Sequence, residues 1–242
     1  MKKILLTSII MFSIITVFAQ SPWWFGGHLG VNFNTVTGQY NNDDDIKHTF
    51  ITTPTFGAIA MYSVNDMISV ITEINIAKSG ATYKYDYNDE TRNFSEAVDV
   101  KYKECYTILQ IPVLAKFTFG EDWQYFGYGG FYWSYILGGK YKAESENGNF
   151  DGKIKFGDYP DNYNGDDMYL DKDYNRRTDI GLNIGGGVQK ELGPGVIAAD
   201  LRFGFGFLDS NKWPDDDKPD DYKAYRNFVI GLNISYLINL GR

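Results

Sequence analysis

His28 and His48 are the only imidazoles in a chain of 242 residues. An imidazole titrates near neutral pH, so either one could shuttle protons in a hydrolytic or transfer reaction. Such chemistry also needs a nucleophile and a carboxylate within reach. His48 follows the run Asp43-Asp44-Asp45 while His28 lies in a separate extended segment, and no serine spacing marks a nucleophile. No catalytic residue is assigned. Acidic runs are the second chemical signal: Asp43-Asp44-Asp45, the stretch from Asp158 to Asp173 around Gly165, and Asp215 to Asp221 behind Trp213-Pro214. Carboxylates suit hard divalent cations, but counting back from Gly165 puts Pro160 at the first ligand position of an EF-hand loop, so that register fails. No metal site and no cofactor are assigned. The third signal is a quartet of opposite charges, Glu73, Lys116, Asp200 and Arg202, set in otherwise largely apolar segments.

What would bring that quartet together is a set of strands. From Phe228 onward, Phe228, Ile230, Leu232, Ile234, Tyr236, Ile238 and Leu240 fall on one face, and Asn227, Gly231, Asn233, Ser235 and Asn239 on the other. Side chains alternate across a strand, so this segment has one apolar side. The pattern recurs with Leu29, Val31 and Phe33 against His28, Gly30, Asn32 and Asn34. It recurs again with Ile180, Leu182 and Ile184 against Asp179, Asn183 and Gly185, and with Leu201, Phe203 and Phe205 against Asp200, Arg202 and Gly204. Further strands are predicted over 51–62, 67–85, 100–118 and 123–141. The last of these is so rich in glycine and aromatics that its faces do not resolve. Pro112, which lacks an N–H, predicts a bulge or kink in its strand.

Short turns at 63–66, 119–122 and 192–195 alternate with long polar stretches at 36–50, 86–99, 142–176 and 210–224. About 10 residues of tilted strand span a bilayer, and lipid offers the backbone no hydrogen-bond partner, so a sheet survives there only when closed. The predicted fold class is all-β: a transmembrane up-and-down antiparallel β-barrel of about eight strands, with short periplasmic turns and long extracellular loops. Phe228, Ile230, Leu232, Ile234, Tyr236, Ile238, Ile180, Leu182, Ile184, Leu201, Phe203 and Phe205 are expected to face lipid. Glu73, Lys116, Asp200 and Arg202 then point inward at similar depth and form an ion-pair cluster that plugs a polar lumen. Alternation at Phe150 and at Lys153-Ile154-Lys155-Phe156 predicts an exposed hairpin in the longest loop.

Lys2 and Lys3 precede an apolar run ending Val17-Phe18-Ala19, which reads as a secretory signal peptide over residues 1–19 with the barrel over 20–242. Without those lysines 21 basic residues face 31 acidic ones, a formal charge of −10 that excludes nucleic acid as a partner. The lone Cys105 has no partner for an intramolecular disulfide. Aromatic residues make up 17% of the chain, led by 19 tyrosines, and predict two interfacial girdles. Trp23, Trp24, Phe25, Tyr62, Phe117, Phe119, Trp123, Tyr125 and Tyr236 lie towards the short turns. Tyr83, Tyr85, Tyr102, Trp133, Tyr135, Phe207 and Tyr225 lie towards the long loops.

Three stretches carry a family likeness: 68–74 (ISVITEI) with 77–81 (AKSGA), 111–117 (IPVLAKF), and 127–130 (GYGG). With a leader ending Ala19-Gln20, they resemble the small outer-membrane barrels of Bacteroidetes, which include the PorT-like proteins. Gln110 stands where that family usually has a glutamate, and the chain ends Leu240-Gly241-Arg242 instead of on an aromatic residue. The resemblance implies outer-membrane location and insertion by the outer-membrane assembly machinery. Lipid and lipopolysaccharide are the expected surroundings; the acidic runs themselves read first as solvated loops, with diffuse calcium or magnesium bridging to lipopolysaccharide phosphates as the alternative. The leading expectation is a non-enzymatic barrel for envelope structure, surface recognition or complex assembly with an unidentified envelope protein. A lipid-modifying enzyme or protease is the first alternative, and a soluble ligand-binding barrel, which needs the opposite face polarity, the second.

Overall fold

The computed structural model describes residues 22–39, 46–87, 98–145, 148–157, 167–171, 173–212 and 222–239. The leader, the two acidic runs at 43–45 and 213–221 and the 158–166 part of the third, and Leu240 lie outside the described residues.

Period-two alternation makes the chain a ring of eight long antiparallel strands. These are β1 (Trp23–Gln39), β3 (Ile51–Ser63), β4 (Ile68–Ser79), β6 (Val98–Phe119), β7 (Gln124–Ser145), β10 (Thr178–Leu192), β11 (Gly195–Gly206) and β12 (Lys223–Asn239). They follow in the order β6-β4-β3-β1-β12-β11-β10-β7, and β6 pairs with β7 to close the circle. Closure leaves no open edge within the ring, the condition for a sheet to persist in lipid. Short turns join β3 to β4, β6 to β7 and β10 to β11. In the first, Asn65 Oδ1 accepts the N–H groups of Met67 and Ile68 at 2.9 and 2.8 Å. In the last, Gly193 takes a φ of 62°, the left-handed conformation a tight reversal requires.

Of four shorter strands, β2 (Ile46–Thr49) and β9 (Met168–Leu170) fall in stretches read as loops from sequence, β5 (Thr82–Tyr87) overlaps the upper end of the strand predicted over 67–85, and β8 (Gly148–Phe156) falls where a hairpin is predicted in the longest loop. They flank the upper ends of β6 and β7 in the order β2-β5-β6 and β7-β8-β9. The predicted hairpin around Phe150 is the β7–β8 pair. β6 and β7 are each 22 residues long, and a transmembrane strand uses about 9–11. Roughly half of each therefore stands clear of the hydrocarbon as a six-stranded wall. The predicted strand over 67–85 is broken at Gly80, whose φ of 146° separates β4 from β5.

The outer face carries a belt of exposed apolar side chains: Leu29 is 70% exposed, Phe131 63%, Ile234 61% and Ile74 59%. In water so continuous an apolar surface would drive aggregation. The polarity is the reverse of a soluble ligand-binding barrel, and that alternative is excluded. Every strand residue predicted to face lipid, from Ile180 to Ile238, points to this outer side, with Leu232 at 52% and Phe205 at 41%. β7 resolves as well. Phe131 and Trp133 point outward, Phe126, Tyr128 and Tyr132 inward.

Two aromatic expectations need correction. Trp24 does not join the short-turn girdle but turns inward against the lumen core, while its neighbours Trp23 and Tyr62 meet edge to face at 5.0 Å outside. Tyr83 and Tyr225 line a cavity inside the barrel instead of the upper rim. Pro112 also behaves differently from the predicted bulge. Bridges between β4 and β6 stop at Thr72–Val113 and resume at Asn75–Gln110 with the register unchanged, so the missing N–H opens a gap and no bulge. The irregularity in β6–β7 pairing lies higher, between Thr107 and Ile108.

Candidate functional site

Because inward positions alternate with outward ones on all eight strands, the lumen is filled by side chains in layers. Nearest the short turns is an apolar floor of Ile59, Met61, Ile71, Leu114, Phe126, Tyr128, Ala198 and Leu237, with Trp24 packed against it. A polar lumen was expected throughout. Ile59, Met61 and Ile71 sit on the inner faces of β3 and β4, whose outer faces are apolar too, so alternation gives no contrast there.

Above the floor lies the charged layer. β4 and β11 stand four places apart in a ring of eight, so Glu73 and Arg202 reach for each other across the full diameter. Arg202 donates through both terminal nitrogens to the two oxygens of Glu73 at 2.7 and 2.8 Å, a bidentate pair. Glu73 is 3% exposed and takes a further hydrogen bond from Asn75 Nδ2 at 2.7 Å. Arg202 Nε donates to the Tyr128 hydroxyl at 3.0 Å, and that hydroxyl donates to Asp200 at 2.5 Å. Asp200 also accepts from Asn233 at 2.9 Å and lies 4.0 Å from Arg202 Nε. Glycine makes the room: a Cβ on Gly185, the cross-strand partner of Arg202, would stand 2.5 Å from the Tyr128 oxygen.

Lys116 does not join this cluster. Its ammonium donates to Gln189 Oε1 at 2.5 Å and lies 4.2 Å from the centre of the Phe126 ring; Gln189 in turn donates to Gln124. Among the described residues no carboxylate lies within 4.0 Å of it. The four predicted residues thus resolve into a triad of Glu73, Arg202 and Asp200, and a lysine served by a glutamine. Equal depth was legible in sequence, whereas position around the circle was not.

His28 belongs to the same layer. It is 5% exposed, and its Nε2 lies 2.7 Å from Asn75 Oδ1 and 3.9 Å from Glu73. The contact passes over Gly57, which pairs with both residues, and a Cβ there would come within 2.0 Å of the Asn75 oxygen. Nδ1 has no hydrogen-bond partner among the described residues, so the ring is held through Nε2 by the Asn75 amide and not by a carboxylate on Nδ1, the orienting group a general base of the triad kind uses. The His48 side chain lies outside the described residues; its backbone pairs with Tyr83 in the wall.

Between the charged layer and the long-loop end the lumen opens into a cavity of about 400 Å³. Val36, Ile108, Ile136 and Val229 give it aliphatic sides, and Tyr83, Glu104 and Tyr106 face it from the wall. Asp179 closes its lower end, accepting from the Tyr132 hydroxyl at 3.1 Å, Asn227 at 3.0 Å and the Leu208 N–H at 3.3 Å. Sequence reading missed this cavity because Glu104, Tyr106, Asp179 and Tyr225 come together only through ring closure. Among the described residues no group of three metal-ligating side chains occurs.

A family model described as outer membrane protein beta-barrel domain matches residues 18–212. Among solved structures, Neisserial surface protein A (NspA) is similar at 12% identity, covering 89% of this chain and 96% of that chain with a TM-score of 0.38. Ail, the attachment invasion locus protein of Yersinia pestis, gives 15% identity, 89% and 98% coverage and a TM-score of 0.35. The outer membrane protein OprG from Pseudomonas aeruginosa gives 10% identity, 90% and 96% coverage and a TM-score of 0.41. No curated relative matches the chain.

Proposed function

Since the chain belongs to the outer membrane protein beta-barrel domain family, we propose that it is a blind-ended, non-enzymatic barrel of the outer membrane that acts at the cell surface through its long-loop end. The observation that carries this reading is the bidentate Glu73–Arg202 pair spanning the ring above an apolar floor. Together they fill the cross-section, as side chains do in barrels of eight strands. A gap in this layer, beside His28 and Lys116, has a volume of only about 30 Å³.

In this reading residues 1–19 are a cleaved leader, and the short turns and both chain ends lie in the periplasm. The outer belt, including Leu201, Phe203, Leu232 and Ile234, meets lipid, and Trp123, Phe119 and Tyr125 anchor the inner interface. The assembly machinery of the outer membrane inserts the barrel, and lipopolysaccharide surrounds its upper rim. The PorT-like likeness in 111–117 and 127–130 fits a role within an envelope complex. The burial of His28, held by the Asn75 amide with no carboxylate on Nδ1, supports a role without catalysis.

The test is electrical. Full-length protein in planar bilayers is expected to pass no steady ion current. Removing both charged ends, Glu73→Ala with Arg202→Ala, is expected to introduce brief openings. Sustained current through the unaltered protein, at the level of a diffusion pore, would overturn the blind-ended reading.

A further inference from the structure

The cavity above the charged layer contains a carboxylate, Glu104, that has no counter-ion among the described side chains. Glu104 faces the cavity from β6 and accepts from tyrosine hydroxyls, that of Tyr106 at 2.9 Å. Among the described residues no lysine, arginine or histidine lies within 4.0 Å of it. The other two acids of the cavity are served differently: Asp179 has the three donors given above, and Asp209 accepts from Tyr222 at 2.8 Å, the Tyr225 N–H at 3.0 Å and the Asn211 N–H at 3.2 Å.

The two arginines of the cavity are engaged elsewhere. Arg177 lies between the rings of Tyr135 and Phe156, 4.7 Å from each, and donates to the Ile136 carbonyl. Arg176 donates to the Asp209 carbonyl at 3.0 Å. Around Glu104 the surfaces are aromatic. Tyr83 and Tyr106 face the same space, and behind them Tyr83, Tyr102 and Tyr141 continue as neighbouring rings 6.3 and 5.9 Å apart.

A half-buried carboxylate in an aromatic setting recovers favourable interaction when a cation enters. Tyrosine faces attract cations of diffuse charge, which shed water easily. Beyond them the cavity is aliphatic and about 400 Å³ in volume, the scale of a small-molecule site. The net acidity of the chain adds a long-range attraction for positive charge.

We infer that the long-loop half of the lumen is a binding site for a small organic cation, an alkylated ammonium whose charged head sits between Glu104 and the rings of Tyr83 and Tyr106 while its apolar body lies against Ile108, Ile136 and Val229. The site goes beyond the blind-ended reading and uses it only for orientation. A barrel that conducted ions would still bind the cation, and a sealed barrel without this site would not.

The experiment uses the full chain folded in a non-ionic detergent and titrated calorimetrically with three molecules of one skeleton: choline, its neutral carbon isostere neohexyl alcohol, and the anion tert-butylacetate. Choline is expected to bind about tenfold more tightly than the neutral isostere, and Glu104→Gln to abolish that preference. Tyr106→Phe keeps the ring and removes the hydroxyl that orients Glu104, so it is expected to lower choline affinity about threefold and to decide the matter if Glu104→Gln does not fold. Folding of each variant is read from its heat-modifiable migration on gels. Equal affinity for choline and the alcohol, tightest binding of tert-butylacetate, no binding of any of the three, or unchanged choline affinity in a folded Glu104→Gln protein would each overturn the proposal.

Discussion

Replacing Arg202 with methionine isolates the energetics of the lumen pair. Glu73 is 3% exposed and accepts from both terminal nitrogens of Arg202 at 2.7 and 2.8 Å. Without the guanidinium only Asn75 Nδ2, at 2.7 Å, remains of those partners. Breaking a buried pair from one side costs about 3–5 kcal/mol, because the surviving charge is stranded away from water. At 1.4 kcal/mol per decade that is roughly two to three and a half orders of magnitude in the folding equilibrium. Removing both charges, with Glu73→Gln beside Arg202→Met, leaves an amide that still accepts from Asn75. That double variant is expected to lie within about 2 kcal/mol of the parent, since neutral replacement of buried pairs is often close to neutral in stability. The assay is urea unfolding in phospholipid vesicles, followed by tryptophan fluorescence and gel migration. Should the double variant be as unstable as Arg202→Met alone, the stranded carboxylate is not the cause of the loss and the reasoning fails.

On the outer belt, Ile234→Arg is expected to cost about 2–4 kcal/mol in the same assay, whereas Phe150→Arg, equally exposed but on the wall above the hydrocarbon, should change stability by no more than about 0.5 kcal/mol; equal losses would show that the belt is misplaced. A Cβ on Gly187 would stand 1.9 Å from the Ala199 carbonyl oxygen, while Gly138 has open space. Gly187→Ala should therefore lower the urea midpoint clearly, and Gly138→Ala by less than half as much. The wall should respond to acid. Lys155 lies 2.6 Å from Asp167, whose other oxygen accepts the Lys153 N–H at 3.1 Å, and these hydrogen bonds hold the Asp167 carboxyl below its ordinary range. A depressed carboxyl stabilises the folded form above the unfolded value, near pH 4, and the contribution is lost as pH falls through the folded value. Hydrogen exchange at the Lys153 amide, corrected for its intrinsic pH dependence, should then lose protection on acidification, and Asp167→Asn should remove most of that pH dependence.

The eight ring strands and the short turns were legible because one face of each strand must be apolar while the other need not be. Legibility ended where that contrast ended. β7 carries aromatics on both faces, Tyr128 and Tyr132 inward and Phe131 and Trp133 outward, so no periodic signal separates them. The floor residues Ile59, Met61 and Ile71 were missed for the same reason. Sequence depth placed Glu73, Asp200 and Arg202 in one layer, but it carries no angle around the ring, and so it assigned Lys116 an acidic partner where the structure supplies Gln189. The wall strands β2 and β9 looked like loops because, outside the hydrocarbon, neither face has to be greasy, whereas alternation still marked most of β5 and the β8 hairpin. Glu104 and Tyr106, only two residues apart, gave no signal without the cavity they share with Asp179 and Val229.

Among the described residues the six-stranded wall rises on the side of the ring where β6 and β7 outrun β3, β4, β10 and β11. To anything drifting along the bacterial surface the molecule therefore has a windward and a leeward flank. Among the described residues a visitor approaching over β11 meets a strand that ends at Gly206, and one approaching over β6 meets a fence. Neighbours packed around the barrel in a crowded envelope could shut that doorway or leave it clear simply by where they stand.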